Sequence, residues 1–306
     1  MKTIRTIELS GSTRQERLPG FAEDFPYIAS WAETGQYNGG MVPWHWHPAV
    51  ELFYMYSGSL VYETPQGTRT FGPGSGGLVN ANVLHSTRNL PGDRVVSWIH
   101  LFEPSLLGGS VGSRIEQKYL VPITANPALE LLALDPADPD QAALLEKLRD
   151  SFALDENEFG YELRLRAALG EIWLGLLALP RPEARPGAAA FDEKCKAMLA
   201  FVHEHYAEPL RIEQIAAAGF CSQREAFRTF QQCLHVTPLN YLQSYRLQMA
   251  ADRLVRSGQQ ITAIAVDCGF ASLSYFGKVF RQKFGCTPGA VPQQMAGYYQ
   301  YGTVKR

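Results

Sequence analysis

The 306-residue sequence predicts an α+β chain with an N-terminal β-barrel of jelly-roll type, a helical middle and an all-α C-terminal domain. Two observations carry that expectation. Up to about residue 105 the chain is a series of short alternating apolar segments punctuated by glycine and proline. From about Asp140 onward, apolar residues recur instead at steps of three and four. A third observation, the proline-rich stretch from Leu179 to Gly187, reads as a stiff linker and places a boundary near Ala188. The expected divisions are 1–105 for the barrel, 106–187 for the helical segment and linker, and 188–306 for the last domain.

The strands come first in the chain. VELFYMYSGSLVYET alternates aromatic and aliphatic residues on either side of Ser57-Gly58-Ser59, as a hairpin does. TFGPGSGGLVNANVLHSTRN and RVVSWIHLFEP supply further strands, and His100 reads simply as a strand residue. His45, His47, Glu51 and His85 have metal-ligand chemistry. The first two are two apart on an extended segment, so both side chains point to one face, and Glu51 follows in phase. Trp44 and Trp46 flank them, and Phe53, Tyr54, Tyr56, Trp98 and Phe102 could complete an aromatic wall for stacking sugar rings.

Next come two helices, about 140–154 and 158–179. The second carries Leu165, Leu169, Ile172, Leu176 and Leu179 at alternating steps of four and three, a heptad seam. Such a seam either packs on the barrel or pairs with a second copy; pairing is preferred here.

In the last domain, Ile261, Ile264 and Ala265 form a short apolar helix that Gly269 ends in a tight turn. Ser272 or Ser274 caps the next helix, whose apolar stripe is Phe276, Val279, Phe280 and Phe284. Residues 210–238 repeat this logic, with a helix from Ile212, a turn at 218–221 and a helix capped by Ser222. The repeat is 50 residues, Phe230 matching Phe280 and Arg228 matching Lys278, and the first turn is one residue shorter. A connecting helix, 238–257, joins the pair. Helix, turn and second helix with a small, basic outer face is the helix-turn-helix layout. Gln223, Arg224, Phe227 and Arg228 in the first unit face outward, as do Ser274, Tyr275, Lys278 and Arg281 in the second. Arg and Gln can make paired hydrogen bonds to guanine and adenine edges, whereas Lys283, Arg281 and Arg246 suit phosphates.

Composition sets the outer limits. With 46% hydrophobic and 19% charged residues the chain is of ordinary folding composition. It lacks a membrane-length apolar run, and MKTIRTIELSGST has no signal-peptide core, so a cytoplasmic location is expected. Five cysteines without a C-x-x-C pair argue against a disulfide framework and a cysteine zinc site. From Phe191 onward there are 13 Lys+Arg against 8 Asp+Glu, while the first 190 residues carry 15 against 22, so a polyanionic partner belongs at the C-terminus.

The run Ile264 to Pro288, with Ala265, Gly269-Phe270, Tyr275-Phe276, Val279-Phe280, Phe284-Gly285 and Thr287-Pro288, resembles the signature of the AraC/XylS family of transcription regulators. That resemblance implies two readers entering adjacent major-groove segments of operator DNA, a homodimer through the middle helices, a small effector, often a sugar, and RNA polymerase as the partner of an activator. Gly39-x5-His45-x-His47-x3-Glu51-x6-Gly58 is similar to the first cupin motif, and Gly74 to Asn89 to the second, with Asn80 and Asn82 where Pro and Gly usually stand. In metal-binding cupins the matching residues hold one divalent ion, which implies Zn, Fe, Mn or Ni on His45, His47, Glu51 and His85. In a metal-free variant the same residues, with Trp44 and Trp46, line an organic-ligand pocket. No catalytic residues are expected; a metal-dependent cupin enzyme fused to DNA-binding helices is the alternative.

Overall fold

The structure, a computed structural model, describes residues 2–4, 7–9, 15–18, 21–22, 24–33, 40–90, 94–110, 112–180, 188–234 and 236–290. The strands are β1 (Lys2–Ile4), β2 (Glu8–Leu9), β3 (Glu16–Arg17), β4 (Tyr27–Glu33), β5 (Met41–His45), β6 (Val50–Ser57), β7 (Leu60–Thr64), β8 (Gly67–Phe71), β9 (Gly76–Val79), β10 (His85–Asn89), β11 (Val96–Phe102) and β12 (Leu131–Leu134). The helices are α1 (Ser105–Gly108), α2 (Val121–Thr124), α3 (Pro139–Ser151), α4 (Tyr161–Ala178), α5 (Ala188–His205), α6 (Ile212–Ala218), α7 (Gln223–Leu234), α8 (Pro238–Arg256), α9 (Ile261–Asp267) and α10 (Leu273–Phe284). The chain divides into two compact units, with the change at Ala188–Ala189; the short β2–β3 pair groups with the C-terminal helices.

In the first unit a six-stranded sheet, β1-β4-β11-β6-β9-β12, faces a four-stranded sheet, β5-β10-β7-β8, in the manner of a cupin-like jelly roll. Strand alternation divides the side chains. Phe53 and Met55 of β6 turn inward to meet Leu60, Tyr62 and Phe71 of the facing sheet. Tyr27, Val50, Leu52 and Phe102 turn outward and are covered by α3 and α4. Phe53 and Phe102 are thus core residues, as aromatics at alternating positions more often are, while Tyr54, Tyr56 and Trp98 cluster with Trp31 on the outward side, so these five do not share one wall.

One expectation for the middle needs correction. Leu165, Leu169, Ile172 and Leu176 are fully buried in the cluster beneath the sheet, so the heptad seam packs within its own unit. Between α2 and α3 lies β12, which pairs with β9 from Leu131↔Val79 to Leu134↔Gly76 and completes the large sheet. The linker at 181–187 and the tail beyond Ala290 lie outside the described residues.

The second unit is helical. Ser222 accepts from the Glu225 N–H, Thr237 from Asn240 and Ser272 from Tyr275, so α7, α8 and α10 each start on a hydroxyl cap. Ala226 and Phe230 in α7, and Phe276, Val279 and Phe280 in α10, turn inward as the spacing predicts.

Candidate functional site

The histidines converge inside the barrel. His45 ends β5, and the backbone breaks at His47–Ala49 around Pro48 before β6 carries Glu51, so the two motif halves sit on neighbouring segments instead of one strand. Pairing of β10 with β5 runs His85↔His45 and then Thr87↔Val42, a bulge that turns both Val42 and His45 inward. Trp44 lies in that bulge. Trp46, between two inward histidines, faces the other way, and both indoles are half-buried. Asn80 and Asn82 build the turn that presents His85. Asn80 donates to the Ile123 and Leu129 carbonyls, and Asn82 adopts φ 61° and donates its N–H to the His47 carbonyl. Asparagine tolerates that left-handed region, which is why it can stand where a glycine usually does.

Each ring is oriented by a backbone carbonyl. The Nδ1 atoms of His45, His47 and His85 lie 2.8, 2.8 and 2.9 Å from the oxygens of Pro43, Ala49 and Val83. A carbonyl only accepts, so Nδ1 carries a proton and Nε2 is the ring nitrogen turned inward. One ring nitrogen from each of the three histidines falls within 4.8 Å of the others. Glu51 Oε2 is 3.7 Å from Nε2 of both His47 and His85, too long for a hydrogen bond, and those two nitrogens have no partner among the described residues.

Electrostatics sharpen the picture. Burial, then the neighbouring His85 and His47 rings, hold His45 well below its ordinary range. Burial alone would raise the Glu51 carboxyl, but His47 and His85 outweigh it and keep it ionised. Tyr62, which the sequence reading did not single out, donates to Glu51 Oε1 at 2.7 Å and fixes the carboxylate; burial, then Glu51, raises its own phenol. Its place in the alternation of Leu60 and Tyr62 was the available signal. Three ring nitrogens gathered beside a buried carboxylate are the donor set of a cation. Ligands of one ion at about 2.1 Å stand roughly 3.4 Å apart in a tetrahedron, so the three nitrogens, all within 4.8 Å of one another, would draw inward on binding.

The second unit places all eight predicted DNA-facing residues at its surface. Gln223, Arg224, Phe227 and Arg228 lie on the exposed side of α7, and Ser274, Tyr275, Lys278 and Arg281 on that of α10. Some already have neighbours: Gln223 donates to Glu213, and the Gln243 amide to the Tyr275 hydroxyl. Arg246 is not placed as a phosphate contact. Its Nε donates to the Tyr206 carbonyl at 2.7 Å and its Nη2 to that of Glu208 at 2.6 Å, bracing the segment after α5.

The two turns differ in a way the repeat only half discloses. In the second, Gly269 takes φ 81°. In the first, Gly219 has φ −88° and the left-handed position falls on Phe220 at φ 50°, with its ring 94% exposed. The hydrogen bonds agree: Phe220 N–H to Ala217 and Cys221 N–H to Ala216 match Gly269 to Val266 and Phe270 to Ala265. Phe220 therefore occupies the place of Gly269.

Comparison with known proteins follows the same division. A family model described as an AraC-like ligand binding domain matches residues 30–172, and one described as a helix-turn-helix domain matches 215–294. The chain is 25% identical to the HTH-type transcriptional regulator YdeC of Bacillus subtilis over 85% of its length and 90% of that protein. It is 33% identical to the transcriptional activator RhaS of Escherichia fergusonii over 39% of its length, spanning 42% of that relative. A solved AraC-type transcriptional regulator from Chromobacterium violaceum is 30% identical, covering 35% of this chain and 96% of that one, with a TM-score of 0.33. Among the described residues no helix is long and apolar enough to cross a membrane. A ligand-binding jelly roll followed by paired helix-turn-helix units makes this chain a member of the AraC/XylS family, a DNA-binding transcription regulator with a cupin-like ligand-binding domain.

Proposed function

We propose that this regulator is an activator whose sensor domain holds one divalent transition-metal ion on His45, His47, Glu51 and His85 and responds to a small molecule bound beside it. The observation that carries the metal is the tethering of all three Nδ1 atoms outward, which leaves two buried Nε2 atoms without a partner and facing a carboxylate. Three nitrogens and one carboxylate oxygen suit Zn, Fe, Mn or Ni. Activation is supported by the similarity to RhaS, itself named an activator, and makes RNA polymerase the downstream partner.

The protein binds its operator as a dimer, and α4 supplies the face. Its buried seam is used internally, but Leu163, Ala167, Gly170, Leu174 and Leu177 form a second stripe at the same steps of four and three. Leu163 is 74% and Leu174 52% exposed, and a Cβ built on Gly170 meets nothing within 4 Å. Small residues at the middle of the stripe let two α4 helices approach closely.

Operator reading is tested by selecting bound sequences from randomised duplex DNA with the full-length protein. The expected half-site has two blocks about one helical turn apart, and a dimer selects two such half-sites. Arg228→Ala should relax base preference in one block and Lys278→Ala in the other, each by about 1–3 kcal/mol. Selection of no preferred sequence would overturn the assignment.

A further inference from the structure

The outward face of α7 is organised by two carboxylates. Glu225, in its first turn, pairs with Lys194 of α5 at 2.6 Å and stands 3.9 Å from an Arg228 nitrogen. That spacing steers the guanidinium without engaging it in a hydrogen bond. Glu213, the second residue of α6, accepts from the side-chain amide of Gln223 at 2.9 Å. Gln223 opens α7, and the N-terminal residues of a reading helix are the ones that meet base edges. Glu213 stands on the helix that crosses the phosphate backbone, where an anion is repelled by the DNA. Its carboxylate therefore costs affinity, and what it gains is the orientation of its neighbour.

That orientation has a chemical consequence. One end of a glutamine amide donates and the other accepts, and turning the group over exchanges them. A carboxylate only accepts, so the nitrogen of Gln223 is held toward Glu213 and its oxygen is left for the DNA. In the major groove that oxygen finds a donor on adenine N6 or cytosine N4, whereas guanine O6 and thymine O4 set oxygen against oxygen. Without the tether the amide can turn over and accept either kind of base. The second unit has no such pair. In the register that matches Ile212 with Ile261 and Ser222 with Ser272, Thr262 stands for Glu213 and Leu273 for Gln223, and α10 contains no acidic residue.

We propose that Glu213 is a specificity-determining residue that acts through Gln223. It fixes the amide so that the first unit demands an amino-bearing base, adenine or cytosine, at one position of its block and refuses guanine and thymine there. This rests on the reading of bases by α7 set out above.

The test is base selection and duplex binding by full-length protein, comparing the parent with Glu213→Gln, Gln223→Ala and the double variant. The position whose preference Gln223→Ala erases should hold adenine or cytosine in the parent. Glu213→Gln keeps the side chain's size and can still bond to Gln223, but an amide both accepts and donates, so the lock is lost. Discrimination against guanine and thymine at that position should fall about tenfold, with other positions unchanged. Affinity for random duplex should rise about twofold, because one anion leaves the surface that faces the phosphates. In the Gln223→Ala background, Glu213→Gln should change discrimination no further. A guanine or thymine at that position overturns the proposal, as does a preference unchanged in Glu213→Gln, or one that Glu213→Gln alters equally with and without Gln223. Preference lost at every position, with a lower Tm and weaker binding to random duplex, makes Glu213 a structural brace and overturns it too. If the parent itself selects no sequence, the base-reading role of α7 fails and the proposal falls with it.

Discussion

The pair of turns in the DNA-binding unit gives a quantitative forecast. A Cβ built on Gly269 would lie 2.8 Å from the Tyr206 carbonyl oxygen, 2.9 Å from Arg246 Nε and 3.0 Å from the Ala207 oxygen. These are backbone atoms and the guanidinium that tethers them, so little can yield. In Gly269→Ala the left-handed backbone costs about 1–2 kcal/mol. Displacing Arg246 from its carbonyl puts a further charged hydrogen bond, about 1.5–3 kcal/mol, at risk, while the stiffer unfolded chain returns about 0.4–1. The net expectation is a loss of roughly 3 kcal/mol. Phe220→Gly is the counterpart. It removes a non-glycine residue from φ 50° and gives up little burial because the ring is 94% exposed. The relief and the added unfolded-state entropy nearly cancel, leaving a change within about 0.5 kcal/mol. Urea unfolding of the full-length variants, followed by far-UV circular dichroism, measures both. A cost below about 1 kcal/mol for Gly269→Ala, or above about 1.5 for Phe220→Gly, would refute the assignment of the two turns.

Other expectations follow from packing and protonation. Leu169→Ala should cost about 2–5 kcal/mol, because Leu169 is fully buried beneath the sheet. Leu174→Glu should leave stability within about 0.5 kcal/mol and shift the protein to monomer in sedimentation; a stable dimer in that variant would rule out the α4 stripe. His100 accepts from the Tyr27 hydroxyl at 2.6 Å, lies 2.8 Å from Ser151 Oγ, and is pushed down to about 3 by burial. The unfolded chain therefore binds a proton near pH 6.5 that the native state refuses. Stability is full above that pH and declines as pH falls toward 3, by roughly 2 kcal/mol between pH 7 and 5. Unfolding across that range should show a loss smaller by about that amount in His100→Asn than in the parent, His45 contributing to both, and equal slopes would contradict the burial argument.

Much of this was legible in the sequence because it depends on local periods. The apolar stripes of α7 and α10, their serine caps and the exposure of Arg228 and Lys278 follow from helical spacing and hydroxyl chemistry alone. So did the inward parity of His45 and His47, although Pro48 and the bulge opposite Ser86 break the strand that was used to argue it. What escaped depends on tertiary context. Two stripes on α4 share the same spacing, and only the sheet beneath decides that Leu165–Leu169–Ile172–Leu176 is covered and Leu163–Leu174 is not. The four residues of β12 are too short a signal among prolines, and become a strand only because β9 offers an edge. That the first turn is one residue shorter was visible, but that the left-handed position then falls on Phe220 and not on Gly219 is decided by the folded backbone.

The central claim is the metal centre, and the most direct measurement is metal content after reconstitution. Full-length protein dialysed against Zn²⁺, Mn²⁺, Ni²⁺ or Fe²⁺ and then freed of excess should retain about one equivalent of one of these ions per chain. His47→Ala should retain almost none while the helical unit unfolds as before. Full-length protein that retains no ion, or retains it equally in the variant, would contradict the account.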